Sequence, residues 1–202
     1  MHKYVVTPNV DHIIKIQKDK EFHQIYKNAS LVLADGMPLV WAAKLLKKPL
    51  KEKVSGSDLF PVLCEKGAHR NMRMFFLGGQ EGVAQKAAEV LKNKFPEINI
   101  VGIYSPSFGF EKDEVENRKI INMINDTKPD ILFVGLGAPK QEKWIYHHLN
   151  EINVPVSLGI GASFDFVAGT KKRAPVWMQK AGLEWFWRFC LEPRRLFKRY
   201  FI

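Results

Sequence analysis

Asp35 closes a short apolar run, residues 31–34, and is followed at once by Gly36. A carboxylate at the end of a β-rich segment caps a helix in one reading. In another it serves as general base toward a substrate alcohol. Thr7-Pro8-Asn9 ends a second such run, where Asn9 is a natural N-cap for a helix starting at Val10. Consecutive strands often lie side by side, so these two turns would bring a carboxylate, a hydroxyl and an amide together. A third stretch, VGLGAPKQEKW over residues 134–144, passes from apolar residues into Gly135 and Gly137, then Pro139 and a polar helical pattern. Strand, glycine turn and helix start form a common way to hold phosphate at a helix N-terminus. The spacing matches neither G-x-x-x-x-G-K-[ST] nor G-x-G-x-x-G.

Other chemistries find no support. The six histidines (2, 12, 23, 69, 147, 148) form no HxxxH, and an adjacent pair cannot face one ligand from a helix. There is no Asp-x-Asp to hold a metal on a diphosphate, and Asp165 stands between two phenylalanines. No G-x-S-x-G occurs, and Cys64 sits within a helical pattern. The expectation is therefore no metal and no cofactor, with phosphate handled by backbone N–H groups and cations.

These residues need a scaffold, and the pattern supplies one. Short β-rich runs at 3–7, 31–34, 73–77, 98–104, 130–134 and 154–160 alternate with helical stretches near 10–28, 37–46, 57–68, 81–94, 111–127 and 139–149. That alternation predicts an α/β, Rossmann-like, mostly parallel sheet with helices on both faces. The helical period is clearest over 81–94, where Val83, Ala87, Val90 and Leu91 share a face. Ligands bind outside the carboxyl ends of such strands. Those ends read Thr7-Pro8-Asn9, Asp35-Gly36, Gly78-Gly79-Gln80, Gly135-Leu136-Gly137 and Gly159-Ile160-Gly161-Ala162-Ser163. Any one of them is an ordinary tight turn. All five at one edge predict a ligand crevice.

At 202 residues one core is expected, and no run is long enough to span a bilayer or resembles a signal peptide. Cys64 and Cys190 have no CxxC partner, which suits reduced thiols in a cytosolic protein. Pro49 marks Lys44–Lys53 as an exposed loop. The net charge is +10, and its distribution is uneven. Residues 171–202 hold nine Lys or Arg against two Glu, together with three of the five tryptophans. Residues 1–170 thus read as the catalytic α/β domain and 171–202 as a basic, amphipathic helical appendage. Trp177, Ala181 and Trp185 share helical spacing there, and an interfacial helix at an anionic membrane explains both the charge and the aromatic residues.

Several motifs together resemble the WecG/TagA/CpsF family of bacterial glycosyltransferases, and the match runs in order across almost the whole chain. They are Thr7-Pro8-Asn9, Ala34-Asp35-Gly36, Gly56-Ser57-Asp58, Phe76-Leu77-Gly78-Gly79, residues 135–142 (GLGAPKQE), Gly161-Ala162-Ser163-Phe164-Asp165, Arg173-Ala174-Pro175, and Gly182-Leu183-Glu184-Trp185 with Glu192-Pro193-Arg194-Arg195. The resemblance implies inverting transfer of a sugar, N-acetylmannosamine or its uronic acid, from a UDP-sugar. The implied acceptor is a polyprenyl-diphosphate-linked sugar, undecaprenyl-diphosphate-GlcNAc, in the synthesis of teichoic acid or another surface polysaccharide. It places the enzyme in the cytoplasm, peripheral on the inner face of the bacterial plasma membrane. Asp35 resembles the catalytic base and Thr7 its neighbour, while Gln141 and Asp165 match residues near the nucleotide. Asn9, Gly78, Gly79, Gly135, Gly137, Gly161 and Ser163 would complete the substrate pocket. Lys53 stands at the family's basic position before the G-x-D turn. Arg188, Arg194, Arg195, Lys198 and Arg199 resemble the tail residues that meet the membrane and the lipid diphosphate. Family members carry a further strand–helix segment before the TPN turn, so either a truncated start or a missing edge element is expected. A homo-oligomer is compatible with the sequence. Two rival readings stand beside this one: a non-catalytic nucleotide-binding module and a basic nucleic-acid-binding protein.

Overall fold

Alternation of apolar residues along the central strands dictates a sheet buried on both sides. In the computed structural model, which describes residues 2–193 and Phe197, Met74 and Phe76 face one layer while Phe75 and Leu77 face the other. The strands are β1 (Lys3–Val6), β2 (Leu31–Val32), β3 (Arg73–Gly78), β4 (Asn99–Tyr104), β5 (Ile131–Gly135) and β6 (Val156–Gly159). All pair in parallel, in the order β2-β1-β6-β5-β3-β4. The helices are α1 (Val10–Lys18), α2 (Lys20–Asn28), α3 (Met37–Leu45), α4 (Gly56–Ala68), α5 (Val83–Lys94), α6 (Glu114–Thr127), α7 (Lys140–His148), α8 (Ser163–Ala168), α9 (Val176–Lys180) and α10 (Glu184–Leu191). No helix among the described residues is long and apolar enough to cross a membrane.

Helices α4, α5 and α8 cover one face around Phe60, Phe76, Phe133 and Phe164, all fully buried. The ring of Phe60 meets the other three edge-on at 4.9–5.3 Å between centroids. Helices α2, α6 and α7 cover the other face through Phe22, Ile25, Ile120, Ile124, Trp144 and Ile145. Each such side chain contributes about 1.5–3 kcal/mol when taken from water. The crossover after β3 leads to β4 on one side, and the crossover after β5 leads to β6 on the other. The chain direction therefore switches between β3 and β5, where parallel sheets open a crevice.

The six expected strands are all present, with β2 shorter than its apolar run suggests. Several helices differ from the sequence pattern. The stretch 10–28 is two helices, because Asp19 ends α1 and its carboxylate accepts the Phe22 N–H at 3.0 Å as N-cap of α2. Asp113, rather than residue 111, starts α6; its side chain accepts from Val115 and Glu116, and a 3-10 turn (Phe110–Lys112) precedes it. The buried stripe of α5 runs through Val83, Ala84, Ala87, Ala88 and Leu91, which leaves Val90 at its margin and 40% exposed. The expected single C-terminal helix is broken by Gly182 at φ +70° into α9 and α10. The pattern predicts no helix between 160 and 171, yet residues 163–168 form the short α8.

Lys128 ends α6 in the left-handed region, φ 43°, and is exposed. That conformation strains any residue with a Cβ and suits glycine. Lys128→Gly is expected to raise stability by about 0.5–1 kcal/mol, visible as an increase in Tm of a few degrees in thermal melts.

Candidate active site

Tight packing leaves backbone, not side chains, at the carboxyl ends of β3, β5 and β6. A Cβ on Gly78 would lie 2.6 Å from the Gly135 carbonyl oxygen, and one on Gly135 would lie 2.7 Å from the Phe164 ring. The Gly79 N–H instead donates to the Gly135 carbonyl at 2.9 Å. Above this floor lies a crevice of about 960 Å³, lined by the turns after β1, β2, β3, β5 and β6.

The TPN and ADG turns are joined there directly. The Asp35 N–H donates to the Pro8 carbonyl at 2.8 Å, continuing the ladder set by Leu33 N–H to Val6 O. Asp35 is half-buried and lines the crevice with Thr7 and Asn9. Thr7 is buried, and its hydroxyl donates to the Gly159 carbonyl at 3.5 Å. Asn9 caps α1 by accepting the His12 N–H. His12 lines the same wall and its Nδ1 is 2.7 Å from the Tyr26 hydroxyl. Burial, and after it the carboxylates of Glu142, Asp35 and Asp11, push the Tyr26 phenol well up, so it stays protonated. Neither His12 nor Tyr26 stands out in the sequence; the Asn9-x-x-His12 capping spacing was the available signal.

The GLGAPKQE stretch forms its glycine turn and helix as expected, with Gly135 and Gly137 on the crevice. Gln141 lies on the crevice too, and its hydrogen bonds join the surrounding turns. Its Oε1 accepts the N–H groups of Gly137 at 3.2 Å and Gly161 at 3.0 Å, and its Nε2 donates to Glu142 Oε1 at 2.8 Å. The side chain is buried, borders the crevice and ties two turns together. Glu142 is buried too; burial pushes its carboxyl above the usual carboxylate range, against the lowering pull of the Gln141 hydrogen bond.

Other expected residues divide. Gly79, Gly161 and Asp165 line the crevice, and Asp165 pairs with Lys171 at 3.3 Å. Gly78 and Ser163 lie beneath it: Gly78 makes the close approach to β5, and the buried Ser163 hydroxyl donates to the Ile160 carbonyl. Lys53 does not line it. Its ammonium pairs with Asp58 at 3.1 Å, within a cluster where Arg173 meets Asp58 at 2.6 Å and Glu184 at 3.6 Å. Among the described residues, the lysines that do line the crevice are Lys171 and Lys140, the latter 2.6 Å from Glu111 and over the ring of Phe108. Lys140 stands inside the GLGAPKQE stretch, so its presence there was legible even though its role was not. Arg194, Arg195, Lys198 and Arg199, with the side chain of Arg188, lie outside the described residues. Among the described residues no three His, Cys, Asp or Glu side chains come together as metal ligands.

A floor of glycine turns, flanking lysines and the Asp35 carboxylate beside Thr7 suit a phosphorylated substrate and an alcohol to be deprotonated. The chain matches the model of the glycosyl transferase WecG/TagA/CpsF family over residues 1–202. It belongs to that family. The enzyme is 33% identical over 192 residues to a Bacillus spizizenii protein, covering 95% of this chain and 72% of the relative. It is 32% identical over 194 residues to a Staphylococcus aureus protein, covering 96% and 74%. Both relatives are named N-acetylglucosaminyldiphosphoundecaprenol N-acetyl-beta-D-mannosaminyltransferase. The chain is thus a glycosyltransferase, and the non-catalytic and nucleic-acid readings give way to it.

Gln141→Leu keeps the side-chain volume but strands two N–H groups and a buried carboxyl. Denaturant unfolding is expected to show a loss of about 2 kcal/mol.

Proposed function

We propose that the enzyme transfers N-acetylmannosamine, or its uronic acid, from a UDP-sugar to undecaprenyl-diphosphate-linked GlcNAc, with inversion. The hydrogen-bonded pairing of the Asp35 turn with the Thr7 turn, at the mouth of a crevice floored by backbone, carries this reading. The names of the relatives support the acceptor and the sugar. In this scheme Asp35 takes the proton of the acceptor hydroxyl as its oxygen attacks the anomeric carbon. The bond from that carbon to the UDP oxygen breaks, and UDP departs with the electron pair. The N-terminus of α7, with Lys140 and Lys171, offsets the charge that develops on the diphosphate, while Gln141 holds the N–H groups of Gly137 and Gly161. Thr7 positions the reacting groups beside Asp35, and Asp165 holds Lys171 toward the crevice.

Residues 1–170 form the catalytic domain in this proposal, and residues 171–202 the appendage that meets the inner face of the plasma membrane. Seven of the ten net charges and the exposed Trp177, Trp185 and Phe186 support that division. Arg188, Arg194, Arg195, Lys198 and Arg199 would meet anionic headgroups and the acceptor diphosphate, where a guanidinium fork suits phosphate oxygens.

Turnover measured with UDP-N-acetylmannosamine and a short-chain lipid-diphosphate-GlcNAc acceptor tests the scheme. Asp35→Asn is expected to cut kcat by about 10²–10⁴-fold with UDP affinity and folding retained. Near wild-type turnover would remove Asp35 from the role. We also propose that transfer needs no divalent metal or other cofactor, because cations and backbone already face the crevice. Activity is expected to persist in EDTA; loss that Mg²⁺ or Mn²⁺ restores would overturn this.

A further inference from the structure

Helix α3 departs from the other crossover helices. Its sequence, MPLVWAAKL, carries one charge in nine residues, yet none of its residues is buried. An apolar helix gains its stability by removing one face from water, and a contiguous exposed apolar face marks an interaction surface. Trp41 is 50% exposed, Leu45 85% and Leu46 72%. The turn between α9 and α10 meets this helix. A Cβ on Gly182, between α9 and α10, would fall 2.7 Å from the Trp41 ring and 2.8 Å from Met37 Cβ, so that turn is seated on α3. On α9 and α10, before and after Gly182 in sequence, Trp177, Trp185 and Phe186 are again exposed.

Charge accompanies the apolar residues. Lys44, Lys47, Lys48 and Lys51 are exposed and interleave with Leu45, Leu46 and Leu50; the one acid in residues 44–53 is Glu52. A protein core rejects that mixture. The boundary of an anionic bilayer accepts it, since leucines enter the acyl layer while lysine stems extend to the phosphates. A second copy of this +10 chain would cover the leucines but set its own positive charge against these lysines.

We propose that α3 and the Lys44–Lys51 segment dock on an anionic phospholipid bilayer and, together with α9 and α10, form one continuous lipid-facing surface. This rests on the membrane-associating reading of the tail and adds the part of the surface that the catalytic domain supplies. It also has a consequence for the site. Met37, the first residue of α3, lies two residues after Asp35, and nine helical residues span only about 13 Å. Docking α3 therefore holds the proposed base close to the leaflet from which a lipid-linked hydroxyl arrives.

Sedimentation of the full chain with phosphatidylcholine vesicles containing graded phosphatidylglycerol provides the test. The full chain is expected to bind, more tightly as phosphatidylglycerol rises. Lys44→Gln/Lys48→Gln is expected to weaken binding roughly 30-fold, about 1 kcal/mol for each lysine. Leu45→Ser/Leu46→Ser is expected to weaken it roughly 10-fold or more at every composition. All four side chains are exposed, so folding and turnover on a water-soluble acceptor are expected to stay unchanged in both variants. If the full chain ignores anionic vesicles, the tail reading and this proposal fall together. If the full chain binds and both variants bind equally well, the tail reading stands and the α3 surface is overturned. Conversion of an oligomer to a monomer by the leucine pair, with vesicle binding intact, would make α3 a contact between copies and also overturn it.

Discussion

Absence of side chains at three strand ends is the constraint on which the rest of the site depends. A Cβ at Gly78 or Gly135 would press on backbone or a buried ring, and one at Gly159 would lie 2.7 Å from Gln141 Nε2. Overpacking of this kind typically costs about 1–3 kcal/mol at each position, so the close approach excludes larger residues. Because both faces of the parallel sheet are covered by helices, the carboxyl edge is the place where backbone N–H groups can meet a ligand. Glycine there lets strands β3, β5 and β6 converge and turns the edge into a polar floor.

Gln141 converts that floor into a single unit. One carbonyl oxygen accepts from Gly137 and Gly161, on turns that follow different strands, and the amide donates to a buried glutamate. Glu142 leaves Oε2 without a hydrogen bond, and its raised pKa moves it toward the neutral form, which reduces the cost of burying a carboxyl. Fixing donors before the substrate arrives removes reorganisation from the chemical step. Gln141 thus orients two glycine turns that border the crevice.

A second cluster couples the crevice to the tail. Ser55, Asp58, Arg173 and Glu184 come from the start of α4, the loop before α9 and the start of α10. Burial raises the Asp58 carboxyl, but hydrogen bonds from Ser55 and Arg173 outweigh it and hold the group below the usual range. The folded-state preference for the ionised form means this contribution is present above the ordinary carboxylate pKa and is lost as pH falls through the depressed value. The Gly56-Ser57-Asp58, Arg173-Ala174-Pro175 and Gly182-Leu183-Glu184-Trp185 motifs thus act together as an anchor for α9 and α10, and Gly182 seats that anchor on α3.

Much of the fold was legible from the sequence because it depends on local periodicity. Two-residue alternation and short apolar runs identified all six strands, and the glycine and polar turns located the ligand edge. The Asp35–Thr7 neighbourhood followed from one rule, that consecutive strands pair. Local pattern failed where a single side chain decides between continuing and breaking a helix, as at Asp19 and Gly182. It also failed where the partner is distant in sequence. Lys53 is turned away from the crevice by Asp58 and the Arg173 cluster, while Lys171 reaches the crevice beside Asp165. Composition and spacing therefore determined the architecture, the edge that binds and the types of group available there. Tertiary structure alone decided which lysines among the described residues line the crevice, that Gln141 joins the Gly137 and Gly161 turns, and that no residue of α3 is buried, because ion pairing, hydrogen bonding and burial depend on neighbours that the chain brings together only by folding.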